Sequence, residues 1–320
     1  MCKLISIIVP FYNVESYITE CLDSVFRQDL PSDSYEVICV NDGSTDGSRV
    51  IVERYMTEHQ NLRLIDHPYN INLGSARNTG IKAAIGKYIW HVDSDDYIAP
   101  NCLKSIVDVC DERNVDVLEF GYIGANNISK LLNEPPRTAE ILSGQEYLQH
   151  YYFDNFGAIS PIWRRVYRRA FLLENHITSP SINMGEDNAY AIQVFALAQR
   201  VSFVSENWYF YRVNYHSLVG ENKSAWTACK WYEASMTCAK SIHVVFRQLE
   251  NLLSPDIRKR ICDMITYNIL MYNVYQSFMS NEIQKEYWKL CRRAFYENTF
   301  VFRYLGKRKT LCYIWRILFA

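Results

Sequence analysis

Short apolar runs alternate with segments of helical periodicity over roughly the first 120 residues. The apolar runs predict five strands, at residues 4–9, 35–40, 62–65, 88–92 and 116–120. Amphipathic, capping and small-residue patterns predict a helix after each of the first four strands. Strands that alternate with helices in this way form a mostly parallel, doubly wound sheet, so we expect an α/β fold.

The pattern changes after the fifth strand. Glycine and proline residues, among them Gly121 and Gly124, predict a loop or insertion over residues 121–150. Long helical periodicities dominate near the end of the chain, where glycine and proline are scarce. We therefore expect a first domain in two halves, and then an α-helical C-terminal region. The expected boundaries are 1–220 for the first domain, with halves at about 1–120 and about 145–220, and 221–320 for the helical region.

Composition and charge narrow the class of protein. The 320 residues are 49% hydrophobic, enough for a substantial core, and a net charge of −1 gives no general attraction to nucleic acid. The ten cysteines are scattered without a close C-x-x-C pair, so we interpret them as reduced core residues of a cytoplasmic protein. The first apolar run is too short for a signal peptide, and no stretch approaches the length of a membrane span.

Polar residues cluster where three of the predicted strands end. Residues 10–13 follow the first strand, residues 41–46 follow the second, and residues 93–96 follow the fourth. Ligands of open parallel sheets bind beyond the carboxyl ends of the strands. Polar residues at one strand end could be an ordinary turn, but three such sets at one edge predict a nucleotide pocket.

The cluster after the fourth strand is Asp93-Ser94-Asp95-Asp96, with three carboxylates in four residues. Like charges at the tip of a buried strand repel one another unless a cation neutralises them. Oxygen ligands suit Mn²⁺ or Mg²⁺, which also bind substrate diphosphates, so the tetrad predicts a metal and a phosphate-bearing ligand. Asp95 is the best candidate for a metal ligand, with Asp93 and Asp96 as further candidates. The alternative is a solvated acidic turn.

Two more charged residues suit a nucleotide. Asp42 directly follows the second strand, where its carboxylate can accept a hydrogen bond from the ring N–H of uracil. Arg77, near the start of the third helix, can meet phosphate oxygens or the uracil edge. It could also pair with a loop carboxylate such as Asp42 or Asp93. We interpret Asp46 as a helix cap and not as a ligand.

Five segments together resemble family 2 glycosyltransferases of the GT-A (Rossmann-like) fold, over residues 4 to about 217. They are Ser6-Ile-Ile-Val-Pro-Phe-Tyr-Asn13, Val40-Asn-Asp-Gly-Ser-Thr-Asp46, Gly74-Ser-Ala-Arg-Asn-Thr-Gly80, Val92-Asp-Ser-Asp-Asp96 and Gly185-Glu-Asp187. Each segment alone is weakly specific, but their order and spacing are highly specific. The resemblance implies inverting transfer from a nucleoside-diphosphate sugar, usually a UDP-sugar, with Mn²⁺ or Mg²⁺.

The resemblance also implies roles for single residues. Those that would contact the donor nucleotide, beside Asp42 and Arg77, are Pro10, Tyr12, Asn13, Asp93 and Ser94. Asp187 would be the general base that deprotonates the acceptor hydroxyl, although a carboxylate in the first turn of a helix is also favourable by itself. His216 is a candidate for a third metal ligand or a phosphate contact, although a lone histidine is more often structural.

Residues 162–169 and 211–217 resemble the acceptor-side region of the family. The first of these segments is basic and aromatic, and it could hold a charged acceptor or form a solvated face. Processive members of the family carry a Q-x-x-R-W motif and transmembrane helices. This sequence contains neither, which favours the addition of a single sugar.

Residues 299–320 combine basic and aromatic side chains and contain no acidic residue. Such a segment could lie at the inner face of a membrane, where a lipid-linked glycan acceptor would be found, or it could dock on its own domain. The C-terminal helices could also form a homodimer surface. We expect a cytoplasmic glycosyltransferase of bacterial cell-surface polysaccharide or glycolipid synthesis. The alternatives are a nucleotidyltransferase and a non-catalytic nucleotide-sugar-binding protein.

Overall fold

The fold is described by a computed structural model for residues 3–124, 141–153, 161–182, 185–212, 227–269 and 280–296. Its strands are β1 (Ile5–Phe11), β2 (Tyr35–Asn41), β3 (Leu62–Asp66), β4 (Tyr88–His91), β5 (Tyr97–Ile98), β6 (Val117–Gly124), β7 (Arg165–Arg168) and β8 (Val201–Tyr211). They form one eight-stranded sheet in the order β3-β2-β1-β4-β7-β6-β8-β5.

The α-helices of the described part lie between and after these strands. They are α1 (Ile18–Phe26), α2 (Ser48–Glu58), α3 (Leu73–Ala83), α4 (Leu103–Arg113), α5 (Gly144–Tyr147), α6 (Arg169–Glu174), α7 (Glu186–Leu197), α8 (Ala228–Leu249), α9 (Pro255–Ile269) and α10 (Asn281–Tyr296). Among the described residues, no helix combines the length and the apolar composition that a membrane-crossing helix needs.

The strands β3, β2, β1 and β4 are mutually parallel, as their apolar runs predict. All residues of β1, β2 and β4 are buried, so these strands are covered on both faces. Helix α3 packs closely on this half of the sheet. A Cβ added at Gly80 would collide with the side chain of Ile8, so this glycine permits the close helix-to-sheet packing.

Two boundary predictions are wrong. Strand β1 continues through Pro10 to Phe11, whereas the sequence places Pro10 after the strand. The pairing of β4 with β1 ends at Ile8, so the missing N–H of Pro10 costs no bond in that ladder. Gly121 and Gly124 lie within β6 and do not break it. At Gly121 the register with β8 shifts, and a Cβ there would lie 2.5 Å from Oδ1 of Asn207, so this glycine permits a close approach of the two strands.

The second half of the sheet is mixed. Strand β7 is antiparallel to both β4 and β6 and separates them, while β8 runs parallel to β6. The sequence pattern did not predict this insertion of β7, because β7 has only four residues and follows a long segment without clear periodicity.

The described chain divides into two compact units. The first comprises residues 1–183 and 193–214 and contains the sheet, and the second comprises residues 184–192 and 215–320. In the second unit, α8 is a long amphipathic helix whose first turn is capped by Thr227, with its side-chain oxygen accepting from the N–H of Lys230. The functional domains at residues 1–220 and 221–320 stay a prediction.

Candidate functional site

The loops that follow β1 and β2 are joined by hydrogen bonds. We call the edge where β1, β2 and β4 end the carboxyl edge, with its side chains from Tyr12, Asn13, Asp42 and residues 93–96. Oδ1 of Asn13 accepts from the N–H of Thr45 at 2.8 Å, and the N–H of Asn13 donates to Oγ of Ser44 at 3.1 Å. Asn13 has a φ of 51°, a left-handed conformation that asparagine tolerates well. Its side chain therefore fixes one loop to the other.

Tyr12 and Asp46 lie beside this junction. The Tyr12 side chain is 45% exposed, so it is not a core residue and its ring is available at the edge. Oδ1 of Asp46 accepts from the N–H of Ser48 at 3.0 Å, and Oδ2 accepts from the N–H of Glu15 at 3.0 Å. Partial burial acts to raise the pKa of Asp46, but these hydrogen bonds outweigh it and lower the pKa. Asp46 therefore has a structural role at the start of α2, although the residue directly before the helix is Gly47.

Asp42 is buried at the end of β2 and receives two hydrogen bonds on one oxygen. Its Oδ1 accepts from the backbone N–H of Ile71 at 3.0 Å and lies 2.7 Å from Nδ1 of His67. Nε2 of the same imidazole lies 2.9 Å from Oγ1 of Thr79, on α3. The carboxylate predicted to meet the uracil ring is thus held by two groups from the segment between β3 and α3, and through His67 by Thr79 on α3.

Arg77 and Asp93 form an ion pair across the same edge. Nη2 of Arg77 donates to Oδ1 of Asp93 at 3.0 Å, and the arginine side chain is 1% exposed. Of the two loop carboxylates that could pair with Arg77, Asp93 is the partner. Because Asp93 remains about a quarter exposed, the pair borders solvent on the carboxylate side. Contacts of either residue with a nucleotide stay a prediction.

Asp96 is fixed to β8 through both of its carboxylate oxygens. Oδ2 accepts from the hydroxyl of Tyr209 at 2.7 Å, and Oδ1 accepts from the N–H of Arg212 at 2.7 Å. The hydroxyl oxygen of Tyr209 also accepts from the N–H of Asp93 at 3.1 Å. Burial first, and then the charges of Asp95 and Asp93, raise the pKa of Asp96 to about 8.

The tetrad supplies the right atoms for a divalent cation. Asp95 is half-buried and Ser94 is buried. Burial first, and then repulsion from the neighbouring carboxylates, raise the pKa of Asp96, and a bound cation would relieve this repulsion. Within the described residues, however, no three His, Cys, Asp or Glu side chains are grouped closely enough to hold a metal ion. His216 lies outside the described residues, and the metal-ligand assignments stay predictions.

Asp187 lies in the first turn of α7, as the sequence predicts, directly after Gly185-Glu186. We call residues 185–187 the GED motif. Gly185 has a φ of +81°, and a Cβ there would lie 2.4 Å from Sγ of Cys238 on α8. The motif therefore rests against α8 at a point where only glycine fits, and the two belong to the same compact unit. This contact gives the helical C-terminal region a specific role beside the GED motif.

The basic segment at residues 162–169 is not a solvated face. Arg164 and Arg165 are each 1% exposed and surround Glu119 of β6. Nε of Arg165 donates to Glu119 at 2.8 Å, Nη2 of Arg164 lies 3.4 Å from it, and the hydroxyl of Tyr147 donates to it at 3.0 Å. Two guanidinium groups thus share one buried carboxylate, which fixes the centre of the mixed half of the sheet.

Sequence reasoning missed three residues that support the predicted site. His67 and Thr79 hold Asp42, and Cys238 contacts the GED motif. The sequence did carry a signal for His67. The polar pair Asp66-His67 directly follows the third predicted strand, in the same way that the other polar clusters follow the first, second and fourth strands. Nothing in the local pattern points to Cys238, whose neighbour Gly185 lies far away along the chain.

The comparisons with known proteins decide the family. The sequence model described as Glycosyl transferase family 2 matches residues 6–173, more than half of the chain. The chain belongs to this family. It is 37% identical over 223 residues to the uncharacterized glycosyltransferase EpsJ of Bacillus subtilis, which covers 68% of this chain and 63% of that protein.

Two further likenesses concern one protein of Staphylococcus aureus. The chain is 34% identical over 211 residues to its poly(ribitol-phosphate) beta-N-acetylglucosaminyltransferase TarS, covering 64% of this chain and 35% of TarS. It thus spans less than two thirds of the length of these curated relatives. The crystal structure of TarS residues 1–349 in complex with UDP matches with a TM-score of 0.69 at 25% identity, covering 98% of this chain and 86% of that one. This likeness confirms the predicted GT-A type of fold with its helical C-terminal region.

Proposed function

We propose that this family 2 chain transfers a single sugar from a UDP-sugar to an acceptor hydroxyl, with inversion at the anomeric carbon. The observation that carries the proposal is the carboxyl edge itself. There an acidic residue suited to a nucleobase, Asp42, and an acidic tetrad suited to a diphosphate follow β2 and β4, the two parallel strands that flank β1. The solved TarS complex with UDP, a structure at 25% identity, supports UDP as the nucleotide.

The uridine of the donor binds at the carboxyl edge. Asp42 accepts the ring N–H of uracil, and the exposed ring of Tyr12 offers an apolar face to the base. Pro10, near the end of β1, and Asn13, in the loop that follows, border the uridine, with Asn13 acting through its bond to Thr45. Ser94 and Asp93 lie at the end of β4, where the ribose follows the base.

Asp93 and Asp95 would hold the Mn²⁺ or Mg²⁺ ion, while Asp96 holds the tetrad against β8. When bound, the cation supplies positive charge to the diphosphate that leaves. Arg77 adds a fixed guanidinium beside Asp93. The chain thus gathers the positive charge that a departing UDP requires.

Asp187 is the proposed general base. Its carboxylate takes the proton of the acceptor hydroxyl while that oxygen attacks the anomeric carbon from the face opposite the diphosphate. The bond between this carbon and the diphosphate oxygen breaks, and UDP leaves with the bonding electron pair. A single displacement of this kind inverts the anomeric centre. A well-placed base contributes roughly 10²- to 10⁴-fold to such a step.

The acceptor is the least defined substrate. TarS is named for a poly(ribitol-phosphate) acceptor, and we propose a surface glycan or a lipid-linked glycan as the acceptor class here. Membrane contact through residues 299–320, which lie outside the described residues, and a homodimer through the C-terminal helices belong to the same proposal. So does a location at the cytoplasmic face of the membrane.

The test is a pair of product assays on the purified protein with Mn²⁺. One supplies UDP-sugars and measures released UDP, and the other supplies UTP with a sugar 1-phosphate and measures released pyrophosphate. Slow hydrolysis of at least one UDP-sugar to UDP and free sugar supports the proposal. Release of pyrophosphate would instead identify a nucleotidyltransferase. Tight binding of UDP-sugars without turnover, even with glycan and lipid-linked acceptors added, would identify a non-catalytic binding protein.

A further inference from the structure

A hydrogen-bonded chain of three side chains connects α3 to the end of β2. Thr79 on α3 contacts Nε2 of His67 at 2.9 Å, and Nδ1 of His67 contacts Oδ1 of Asp42 at 2.7 Å. The side chains of His67 and Asp42 are 10% and 4% exposed. The chain therefore lies inside the protein and ends at a carboxylate of the carboxyl edge.

The chemistry of the three groups fixes the direction of the hydrogen bonds. An ionised carboxylate can only accept, so Nδ1 of His67 carries a proton and donates it to Asp42. In the neutral imidazole Nε2 is then an acceptor, and the hydroxyl of Thr79 donates to it. Thr79 thereby selects the tautomer of His67 that can donate to Asp42. The same Oδ1 also receives the N–H of Ile71.

The loop that carries these donors is fixed against the loop of Asp42. Gly43 has a φ of +74°, and a Cβ there would lie 2.5 Å from the backbone carbon of Tyr69. The backbones of the two loops are thus in direct contact, with no room for a side chain between them. His67 and Ile71 consequently approach Asp42 in one fixed geometry.

We infer that His67 and Thr79 are positioning residues that set the nucleobase selectivity of the site by holding the Asp42 carboxylate in one orientation. This inference rests on the proposed function, because it requires a nucleotide at the carboxyl edge. Oδ1 already accepts from His67 and from the N–H of Ile71, and a carboxylate can only accept, so a ligand must offer Asp42 a donor of its own. Uracil and guanine carry a ring N–H at the required position. Cytosine and adenine carry an acceptor there, which the carboxylate repels.

The experiment is a calorimetric titration of UDP, GDP and CDP into the intact protein with Mn²⁺, repeated for four variants. His67→Phe keeps the ring and removes the donor, while His67→Asn places an amide N–H close to the position of Nδ1. Thr79→Val removes the hydroxyl of Thr79, and Thr79→Ser keeps a hydroxyl at this position. His59→Phe is the matched control, because His59 stacks on Phe26 at the end of α2.

The readout is the ratio of the UDP and CDP affinities, which a general loss of structure would not change selectively. We expect UDP to bind the wild type at least about tenfold more tightly than CDP, and this ratio to fall about tenfold in His67→Phe. Thr79→Val should lower the ratio by about threefold. His67→Asn and Thr79→Ser should recover most of it, and His59→Phe should leave it unchanged.

Two contrary results are distinguishable. If His67→Phe still binds UDP with an unchanged preference over CDP, the inference is overturned and the proposed function stands. If the wild type binds no uridine nucleotide, the proposed function is overturned, and the inference that rests on it falls as well. Melting curves of all variants show which of them are folded under the conditions of the titration.

Discussion

The carboxyl edge and the GED motif are held in place by different kinds of interaction. At the carboxyl edge, Asn13, Asp42 and Asp93 are each fixed by hydrogen bonds from neighbouring loops and from α3. At the GED motif, Gly185 packs closely on Cys238 in a conformation that favours glycine, and the thiol of Cys238 lies 3.9 Å from the carbonyl oxygen of Gly185. Variants at the carboxyl edge should therefore change nucleotide binding, whereas variants of the motif should change turnover and leave nucleotide binding intact.

The largest effect is expected from the GED motif. Asp187→Asn should lower the transfer rate by roughly 10²- to 10⁴-fold, because the amide cannot take the acceptor proton. Affinity for UDP, measured by calorimetry, should stay at the wild-type level. Asp256→Asn is the control, because Asp256 also lies in the first turn of a helix, α9. It shows whether the loss of a negative charge at a helix N-terminus by itself lowers the transfer rate. Loss of UDP binding in Asp187→Asn would instead place this residue in the donor site.

The matching change at the carboxyl edge is Asp95→Ala. We expect transfer to fall by roughly 10³-fold, together with the Mn²⁺-dependent part of UDP affinity, because a bound cation contributes several kcal/mol to charge stabilisation. The melting temperature should change little. The control Asp108→Ala removes an exposed aspartate that pairs with Lys104 on α4, and it should retain full activity. Wild-type turnover by Asp95→Ala would contradict the metal assignment.

A smaller effect tests the steric support of the motif. In Gly185→Ala the new Cβ would collide with Cys238, and the left-handed φ would be strained. The displaced motif should lower kcat by about 10- to 100-fold without changing the Kd for UDP. Cys238→Ala removes the thiol and leaves the backbone of Gly185 free to keep its conformation, so it should retain near-normal kcat. If Gly185→Ala lost as much UDP affinity as kcat, the proposed difference between the GED motif and the carboxyl edge would be wrong.

The smallest effect concerns pH and the electrostatics of the tetrad. Burial and the charges of Asp95 and Asp93 raise the pKa of Asp96 to about 8, above its value in the unfolded chain. At a pH between the unfolded-state and folded-state pKa values, Asp96 carries a proton in the folded protein and has lost it in the unfolded chain. In EDTA, the free energy of unfolding should therefore fall as pH rises from about 4 to about 8.

Urea denaturation of the wild type and Asp96→Asn at pH 6 and pH 8 checks this dependence. The variant should lose the part of the pH dependence that Asp96 causes. Added Mn²⁺ should restore stability at pH 8 in the wild type, since a cation at the tetrad favours the ionised carboxylates. Identical slopes for the two proteins would show that Asp96 does not carry the effect.

The carboxyl edge was predictable from the sequence because its parts follow local patterns. Apolar runs mark the buried parallel strands, and the polar residues that bring Asp42 and Asp93 to one edge come directly after them. The choice of Asp93 as the partner of Arg77 was only one of the predicted alternatives. It depends on the packing of α3 against the sheet, which places Arg77 in the interior.

The mixed half of the sheet was not predictable for a physical reason. Glu119 meets Arg165 and Tyr147 across sequence separations of 46 and 28 residues, so the burial of these charges cannot be read from any local pattern. A run of arginines alone looks the same whether it faces solvent or a buried carboxylate. The short strand β7 pairs in the antiparallel direction with both β4 and β6, and no local pattern in the sequence indicates these two partners.

The most direct test of the whole account is a calorimetric titration of UDP into the wild-type protein, once with Mn²⁺ and once with EDTA. We expect saturable binding with Mn²⁺ and an affinity at least about tenfold weaker in EDTA, since the acidic tetrad alone repels a diphosphate. Absence of binding under both conditions, or equal affinity in the two, would contradict the claim that the carboxyl edge is a metal-assisted site for a uridine diphosphate.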